Sequence, residues 1–246
     1  MNRQAQAAVL LLIGVALLHA GLTDLYLRYV KGGLRPLLLM AGTLLAVTAL
    51  ATAWYEWRRA RRKERGACTG DETREHAHRE PLMSWLLVLP LFALILVAPP
   101  ALGSYSAMRA GTALQPPYGY AKLPTGDPVP ISLVDYAGRA FYDHGHSLEG
   151  RSVRITGFVA VARSGTPYLV RMALNCCAAD AQPVKIGLTG NIPPVLQPNA
   201  WLEVTGRYTA QRTRDPVNNG PIPFLQVTEA RPAPTPHDPY DETWNN

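Results

Sequence analysis

The sequence predicts a membrane anchor of three transmembrane helices followed by an all-β domain built as a small OB-like barrel. Two observations lead to this fold class. The first 100 residues contain three long apolar stretches, and the segment 134–231 contains five short runs in which polar and apolar residues alternate. Glycine and proline separate these runs, which leaves little room for a long helix and favours a small barrel.

The apolar stretches of the anchor are Ala7–Leu22, Leu37–Tyr55 and Leu82–Ala98. A helix needs roughly 20 apolar residues to cross a bilayer, and about 17 is the lower limit. Pro90 is compatible with the third span, because neighbouring helices in a bundle can satisfy the freed carbonyl. A cleaved signal peptide is the alternative for the first stretch, but a second span follows it instead of a soluble domain.

Positive charge predicts the orientation of the anchor. The run Arg58–Arg65, directly after the second span, holds six basic residues and one acid. Such clusters stay in the cytoplasm, so the loop 57–81 is expected to be cytoplasmic and the C-terminal domain extracytoplasmic. The first connection, with Arg28, Lys31 and Arg35, then faces outward against the rule, but it is the weaker cluster. The predicted location is the cell membrane, as a multi-pass protein in contact with lipid.

The net charge of +6 comes mostly from the anchor. Residues 1–100 hold 12 basic and 7 acidic residues, whereas residues 101–246 hold 12 and 11. A nucleic-acid-binding domain needs a basic face of its own. The charge distribution therefore indicates membrane orientation and predicts no nucleic-acid partner.

The composition divides the chain into four segments. Residues 1–100 form the membrane domain, and residues 101–133, rich in Pro, Gly, Ala and Tyr, are expected to be an irregular extracytoplasmic linker. Residues 134–231 form the OB-like β domain. The segment 232–246, polar and rich in proline, is expected to be a disordered tail.

Five runs in the β domain are predicted to be strands. They are Ser152–Val159, Tyr168–Cys176, Val184–Leu188, Trp201–Tyr208 and Phe224–Val227. Gly157 and Gly206 occupy matching places in similar strands, as bulges or barrel corners often require.

Two adjacent cysteines are the main candidate for chemistry. Cys176 and Cys177 are followed by Asp180, and Cys and Asp are ligand types that suit zinc. If the strand continued through the pair, Cys176 would be buried and Cys177 exposed, and one ion could not take both sulfurs. If the strand ends at the pair, both are available. A vicinal disulfide and a turn-capping role for Asp180 remain as alternatives.

Zinc needs about four ligands, and other residues offer some of the missing ones. The run Asp143–His146 has ligand-like content, although two histidines so close together are often only solvated. Cys68, His76 and His78 lie in the cytoplasmic loop, and their spacing matches no tight zinc pattern, which favours a solvated charged loop.

His19 lies within the first predicted span. An ionisable residue inside a membrane is a functional hypothesis by default, and the alternative is a hydrogen bond to a neighbouring helix. The sequence has no Gly-x-Ser-x-Gly, phosphate loop, His-Glu-x-x-His or paired Cys-x-x-Cys motif. No enzymatic activity is therefore predicted.

Several motifs carry a resemblance to a known family over nearly the whole length. The most specific is Arg171–Pro183, which is very similar to a Cys-Cys-x-Ala-Asp-Ala-x-Pro signature, closed here by Gln182 and Pro183. Trp201–Gly206 resembles a following Trp-x-x-Val-x-Gly motif, and Leu18–Gly21 in the first span also fits. The chain resembles the YcgQ-like bacterial membrane proteins.

This resemblance implies an accessory subunit that acts with a predicted permease, in the handling of a metal such as zinc or of a small solute. Cys176, Cys177 and Asp180 would form the metal or ligand site, and His19 would be a polar group of the membrane domain. Gln182, Pro183, Trp201 and Gly206 would be structural parts of the signature. Two alternatives remain: an extracytoplasmic thiol redox protein and a non-catalytic envelope scaffold.

Overall fold

A computed structural model describes residues 3–66 and 100–242 of the chain. Two compact units divide these residues. One contains the two N-terminal helices, and the other contains the short segment Leu27–Gly32 together with the chain from Ala101 onward. The predicted third span, Leu82–Ala98, and residues 67–81 of the predicted cytoplasmic loop lie outside the described residues.

The first unit is a pair of antiparallel helices, α1 (Arg3–Leu22) and α2 (Arg35–Gly66). Glycines bring the two backbones close together: a Cβ atom on Gly14 would lie 2.9 Å from the Ala46 amide nitrogen and 3.0 Å from the Gly42 carbonyl oxygen. Small residues at such crossings are typical of helices that pack in a membrane.

One described helix is long and apolar enough to cross a membrane, by length and composition. It spans Gly32–Arg59, 28 residues with a mean hydropathy of 1.9. Gln6–Leu22 is a shorter apolar stretch within α1. The helices expected at the first two apolar stretches are present, and membrane insertion and the three-span architecture remain predictions.

The second unit is built on a β-barrel. In chain order its elements are α3 (Ser104–Arg109), β1 (Val129–Pro130), α4 (Leu133–Phe141), β2 (Ser152–Val161), β3 (Pro167–Leu174), β4 (Gln182–Gly190), β5 (Trp201–Arg214), β6 (Pro221–Pro232) and β7 (Tyr240–Glu242). The barrel closes in the order β2-β5-β6-β4-β3 and back to β2. Its pairings are antiparallel except for β4 with β6, which is parallel.

The five predicted strands and the OB-like closure are therefore confirmed, with three differences at the margins. The linker expected to be irregular contains α3 and β1, and α4 begins the domain. The tail expected to be disordered contributes β7, which pairs with β3 through Met172 and Tyr240. A strand of three residues is too short to show an alternation of polar and apolar residues, so the sequence pattern does not predict it.

The core has two layers. The barrel interior is filled by inward-facing strand residues and by α4, which contacts all five barrel strands and so covers one end. A second cluster lies on the outer face of β2 and β3 and includes Phe158, Met172, Tyr240 and Ala107 of α3. Both faces of β3 are consequently buried.

Close strand approach explains the two predicted corner glycines. A Cβ on Gly206 would lie 2.5 Å from the Gln226 carbonyl oxygen, and the β5–β6 register shifts at Thr205/Gly206. A Cβ on Gly157 would lie 2.9 Å from the Val170 carbonyl oxygen. Any side chain at either position would push the neighbouring strand away.

Candidate functional site

The two cysteines lie just beyond the end of β3. The strand stops at Leu174, and Ala178–Asp180 form a 3-10 turn that reverses the chain toward β4. Cys176 is exposed and Cys177 half-buried, both as free thiols, which agrees with the possibility that the strand ends at the pair and not with one that runs through it. Outside the ladder, neighbouring side chains are no longer forced onto opposite faces.

This turn brings two sulfurs and one carboxylate together. One ligand atom each from Cys176, Cys177 and Asp180 can be chosen so that all three lie within 4.8 Å of one another. Two sulfurs on a tetrahedral zinc ion are about 3.8 Å apart, given a Zn–S bond of about 2.3 Å. Small side-chain rotations would thus place the three atoms around one ion.

Asp180 is held in place by the backbone of the same loop. Its Oδ1 accepts a hydrogen bond from the Asn175 amide at 3.1 Å, and its Oδ2 accepts one from the Cys176 amide at 2.8 Å. The turn-capping role considered for Asp180 is therefore present. It coexists with a ligand role, because a carboxylate has about four lone-pair sites.

The loop also sets the protonation of its groups. Hydrogen bonding of the Cys176 thiol to Asp180, and then to Cys177, raises the pKa of Cys176 to about 12. For Asp180, burial raises the pKa, but the bonds from the Cys176 thiol and from the backbone amides outweigh it, so this pKa is lowered. At neutral pH the carboxylate is charged and Cys176 is a neutral thiol.

A distant segment completes the site. The Lys31 amide donates to the Cys176 carbonyl at 3.1 Å, and the Ala178 amide donates to the Tyr29 carbonyl at 2.7 Å. These bonds form an antiparallel bridge between Val30 and Cys177. The connection between α1 and α2 therefore supports the cysteine loop like a short added strand.

The same segment is fixed to the barrel at a second point. The Tyr240 hydroxyl on β7 donates to the Arg28 carbonyl at 2.9 Å and accepts from the Leu102 amide at 3.1 Å. The tail strand therefore links the α1–α2 connection to the linker before α3. No local pattern in the sequence pointed to these contacts, since Arg28 and Tyr240 are far apart in the chain.

The remaining signature residues support the strands around this loop. Gln182 and Pro183 open β4 opposite Ala173 and Met172, and the Pro183 carbonyl accepts from the Ala113 amide at 2.9 Å. Trp201 begins β5 and packs edge-on against Phe158, with ring centroids 5.7 Å apart.

The structure does not bring the other sequence candidates to this cluster. In the part of the chain that is described, no metal-binding group joins residues of Asp143–His146 to the cysteines. Asp143 instead accepts from the Ser147 amide at 2.8 Å, which orders its own loop. His19 is exposed in the last turn of α1. Cys68, His76 and His78 lie outside the described residues.

Sequence reasoning missed a second group of polar residues. Arg171 is an inward-facing charge in an otherwise apolar strand and is only 8% exposed. It pairs with Asp241 of β7, with Nη2 at 3.1 Å from Oδ1. A charge at an inward position of an apolar strand was the signal that could have revealed it.

The folded domain coincides with a recognised family region. Residues 136–241 match the family model of the DUF1980 C-terminal domain. This is a family of uncharacterised proteins, which fits the expectation that the chain resembles an uncharacterised family. The DUF1980 C-terminal region begins within α4 and ends in β7, so it includes both the barrel and the cysteine loop.

Other comparisons add no functional information. None of the curated proteins compared with the chain matches it. A chain in the crystal structure of the S. pombe Stn1-ten1 complex is similar at 16% identity, over 46% of this chain and 82% of that chain, with a TM-score of 0.26. A likeness of that size carries no argument about this protein.

Proposed function

We propose that this chain is a non-enzymatic accessory subunit of a membrane permease, with an extracytoplasmic metal site at Cys176, Cys177 and Asp180. Zinc is the ion that the ligand types fit best. Three protein ligands leave one position open for water, solute or a side chain of the permease. An open position suits transfer of an ion better than permanent structural binding.

The observation that carries this proposal is the clustering of two sulfurs and one carboxylate on a single exposed loop. Placing thiols beside a carboxylate is unfavourable for thiolate formation, as the raised pKa of Cys176 indicates. A divalent cation reverses this balance, because a coordinating thiol loses its proton to the metal. A bound divalent cation therefore offsets the repulsion between the thiolates and the neighbouring carboxylate.

The same electrostatics count against the thiol redox alternative. Exchange with disulfides requires a thiolate, and a pKa of about 12 leaves almost none at Cys176 at neutral pH. The scaffold alternative gives no reason for exposed thiols to lie beside a carboxylate. It stands if removal of the three side chains changes only folding.

Membrane insertion is supported by the surface of the helical unit. Large apolar side chains remain exposed along both helices; they include Val15, Leu22, Leu37, Met40 and Leu44. Thr43, Thr48 and Thr52 donate their hydroxyls to carbonyls four residues earlier, which satisfies them in an apolar medium. These faces suit contact with lipid or with permease helices, and His19 is the polar group we expect at such a contact.

The pairing of Tyr29–Lys31 with the cysteine loop also agrees with the predicted topology. Because Tyr29–Lys31 pair with Cys176–Ala178, these two segments lie on the same side of any membrane. The chain between them must then cross the bilayer an even number of times. If α2 crosses once, the stretch Leu82–Ala98 has to provide the return, which agrees with three spans in all.

Metal content and free thiols test the proposal directly. The full chain, purified in mild detergent, is expected to bind one zinc ion, and Cys176→Ser and Cys177→Ser are each expected to lose it. Cys68→Ser is the matched control and should retain the metal. Zinc retained in both loop variants, or a metal-free chain whose loop thiols are oxidised, would reject the metal site.

Topology and partner have their own tests. In intact cells, a membrane-impermeant maleimide should label Cys176 or Cys177 but not Cys68. Co-purification of a tagged chain at native expression should recover a multi-span permease. Labelling of Cys68 alone would show the opposite orientation. Purification of the tagged chain without any permease would contradict the accessory role.

A further inference from the structure

A cavity in the barrel unit lies apart from the cysteine loop. It has a volume of about 690 Å³, within the range of small-molecule sites. Strands β2, β3, β5 and β7 contribute its charged lining, with Arg154, Arg171, Glu203 and Asp241. The segment from Pro130 to Leu133 and Pro236 add a mostly apolar wall.

Arg171 and Asp241, which line this cavity, each have one buried polar atom without a partner among the described residues. Arg171 donates from Nε to Asp241 Oδ1 at 3.2 Å and from Nη2 to the Tyr240 carbonyl at 2.9 Å. Its Nη1 has no hydrogen-bond partner among the described residues, and neither does Asp241 Oδ2. This ion pair therefore keeps one donor and one acceptor unpaired, a costly arrangement in a buried place.

The charges of the lining decide what would fit. The cavity has two cationic and two anionic side chains, so a simple anion would meet two carboxylates and a simple cation two guanidinium groups. Arg154 and Glu203 form no ion pair with each other in the described part of the chain. A ligand that carries one charge of each sign satisfies both pairs at once.

We propose that this cavity binds a small zwitterion of the amino-acid or dipeptide type. Its carboxylate accepts from the guanidinium groups of Arg154 and Arg171, and its ammonium group donates to the carboxylates of Glu203 and Asp241. An apolar side chain packs against Ile131, Leu133 and Pro236. The site is independent of the cysteine loop and of the metal proposed there.

The test is calorimetric titration of the full chain in detergent with L-leucine and with L-leucyl-L-leucine. At least one of them should bind at one site per chain. N-acetyl-L-leucine lacks the ammonium group and L-leucinamide lacks the carboxylate. Each should bind more weakly than L-leucine by about tenfold or more, since a bond to a charged group is lost.

Variants locate the site without removing the buried pair. Arg154→Gln and Glu203→Gln should each weaken zwitterion binding by about tenfold. Arg207→Gln, an exposed arginine of β5 outside the cavity, and Cys176→Ser are the controls and should bind as the parent does. Melting temperature shows that each variant is folded.

Three results would overturn the inference. The first is no binding of either zwitterion by the folded chain, in which case the free atoms bond only to water. The second is equal binding of L-leucine and its capped forms. The third is unchanged binding in both cavity variants.

Discussion

Two buried ion pairs in the same barrel differ in how completely they are satisfied. Lys185 and Asp215, with side chains 1% and 0% exposed, are 2.7 Å apart. The lysine also donates to the Ala110 carbonyl, and the aspartate accepts from the amides of Thr112 and Val217. Arg171 and Asp241 leave Nη1 and Oδ2 unpaired instead.

We infer from this difference that the first pair stabilises the fold and that the second contributes to ligand binding. The closed Lys185–Asp215 pair joins the linker after α3 to the barrel, and its lysine is only 1% exposed and bonded to both Asp215 and the Ala110 carbonyl. The open Arg171–Asp241 pair lines a cavity and has one donor atom and one acceptor atom without a partner among the described residues. Buried polar groups are normally satisfied, so the open pair marks a place where a further partner is expected.

Removing the lysine of the closed pair should have the largest effect. We expect Lys185→Met to lower the free energy of unfolding by about 3–5 kcal/mol, because Asp215 is left charged and buried. Denaturant unfolding of the full chain measures this. Lys185→Met combined with Asp215→Leu should recover part of the loss, and a single variant as stable as the parent would contradict the closed-pair account.

Gly206 tests the barrel scaffold that carries both pairs. Gly206→Ala should cost about 1–3 kcal/mol, because its Cβ would lie 2.5 Å from the Gln226 carbonyl and force the strands apart. Gly119→Ala is the matched control, since no atom lies within 4 Å of that Cβ. Equal melting temperatures for the two variants would show that the strand approach at Gly206 is not required.

The open pair should contribute less than the closed one. Arg171→Met is expected to cost about 1–2 kcal/mol, because the Asp241 side chain is 14% exposed whereas that of Asp215 is fully buried. Denaturant unfolding beside Lys185→Met compares the two directly. If Arg171→Met were the more destabilising, the contrast between a closed and an open pair would fail.

The pH dependence of zinc binding distinguishes the exposed cysteine loop from the two buried ion pairs. The pKa of Cys176 is raised to about 12 without metal, so its thiol is protonated across neutral pH and must release that proton on binding zinc. Apparent zinc affinity should therefore rise with pH, by about tenfold per unit for each proton released. Competition with a chelator between about pH 6 and 8 measures the slope, and a flat profile would rule out thiolate ligation by Cys176.

The sequence predicted those features that local patterns determine. Alternation located the five strands, and Gly157 and Gly206 marked close approaches of neighbouring strands. The candidate ligands Cys176, Cys177 and Asp180 also came from one short run of sequence, and the structure brings their ligand atoms together.

What the sequence could not predict depends on contacts between distant segments. The pairing of Tyr29–Lys31 with the cysteine loop joins residues with no shared periodicity. The cavity needs Arg171 and Asp241, which meet only because β7 adds to β3. The sequence left the burial of the two cysteines open because alternation gives no position for the end of a strand, and β3 ends at Leu174.

Cobalt substitution tests the central claim about the cysteine loop most directly. Titration of the metal-free chain with Co²⁺ should produce thiolate-to-cobalt charge-transfer absorption that saturates at one ion per chain. Cys176→Ser and Cys177→Ser should each reduce it by about half or more, since each removes one sulfur ligand. Absorption without any sulfur charge transfer, or variant spectra identical to that of the parent chain, would contradict a metal site at Cys176, Cys177 and Asp180.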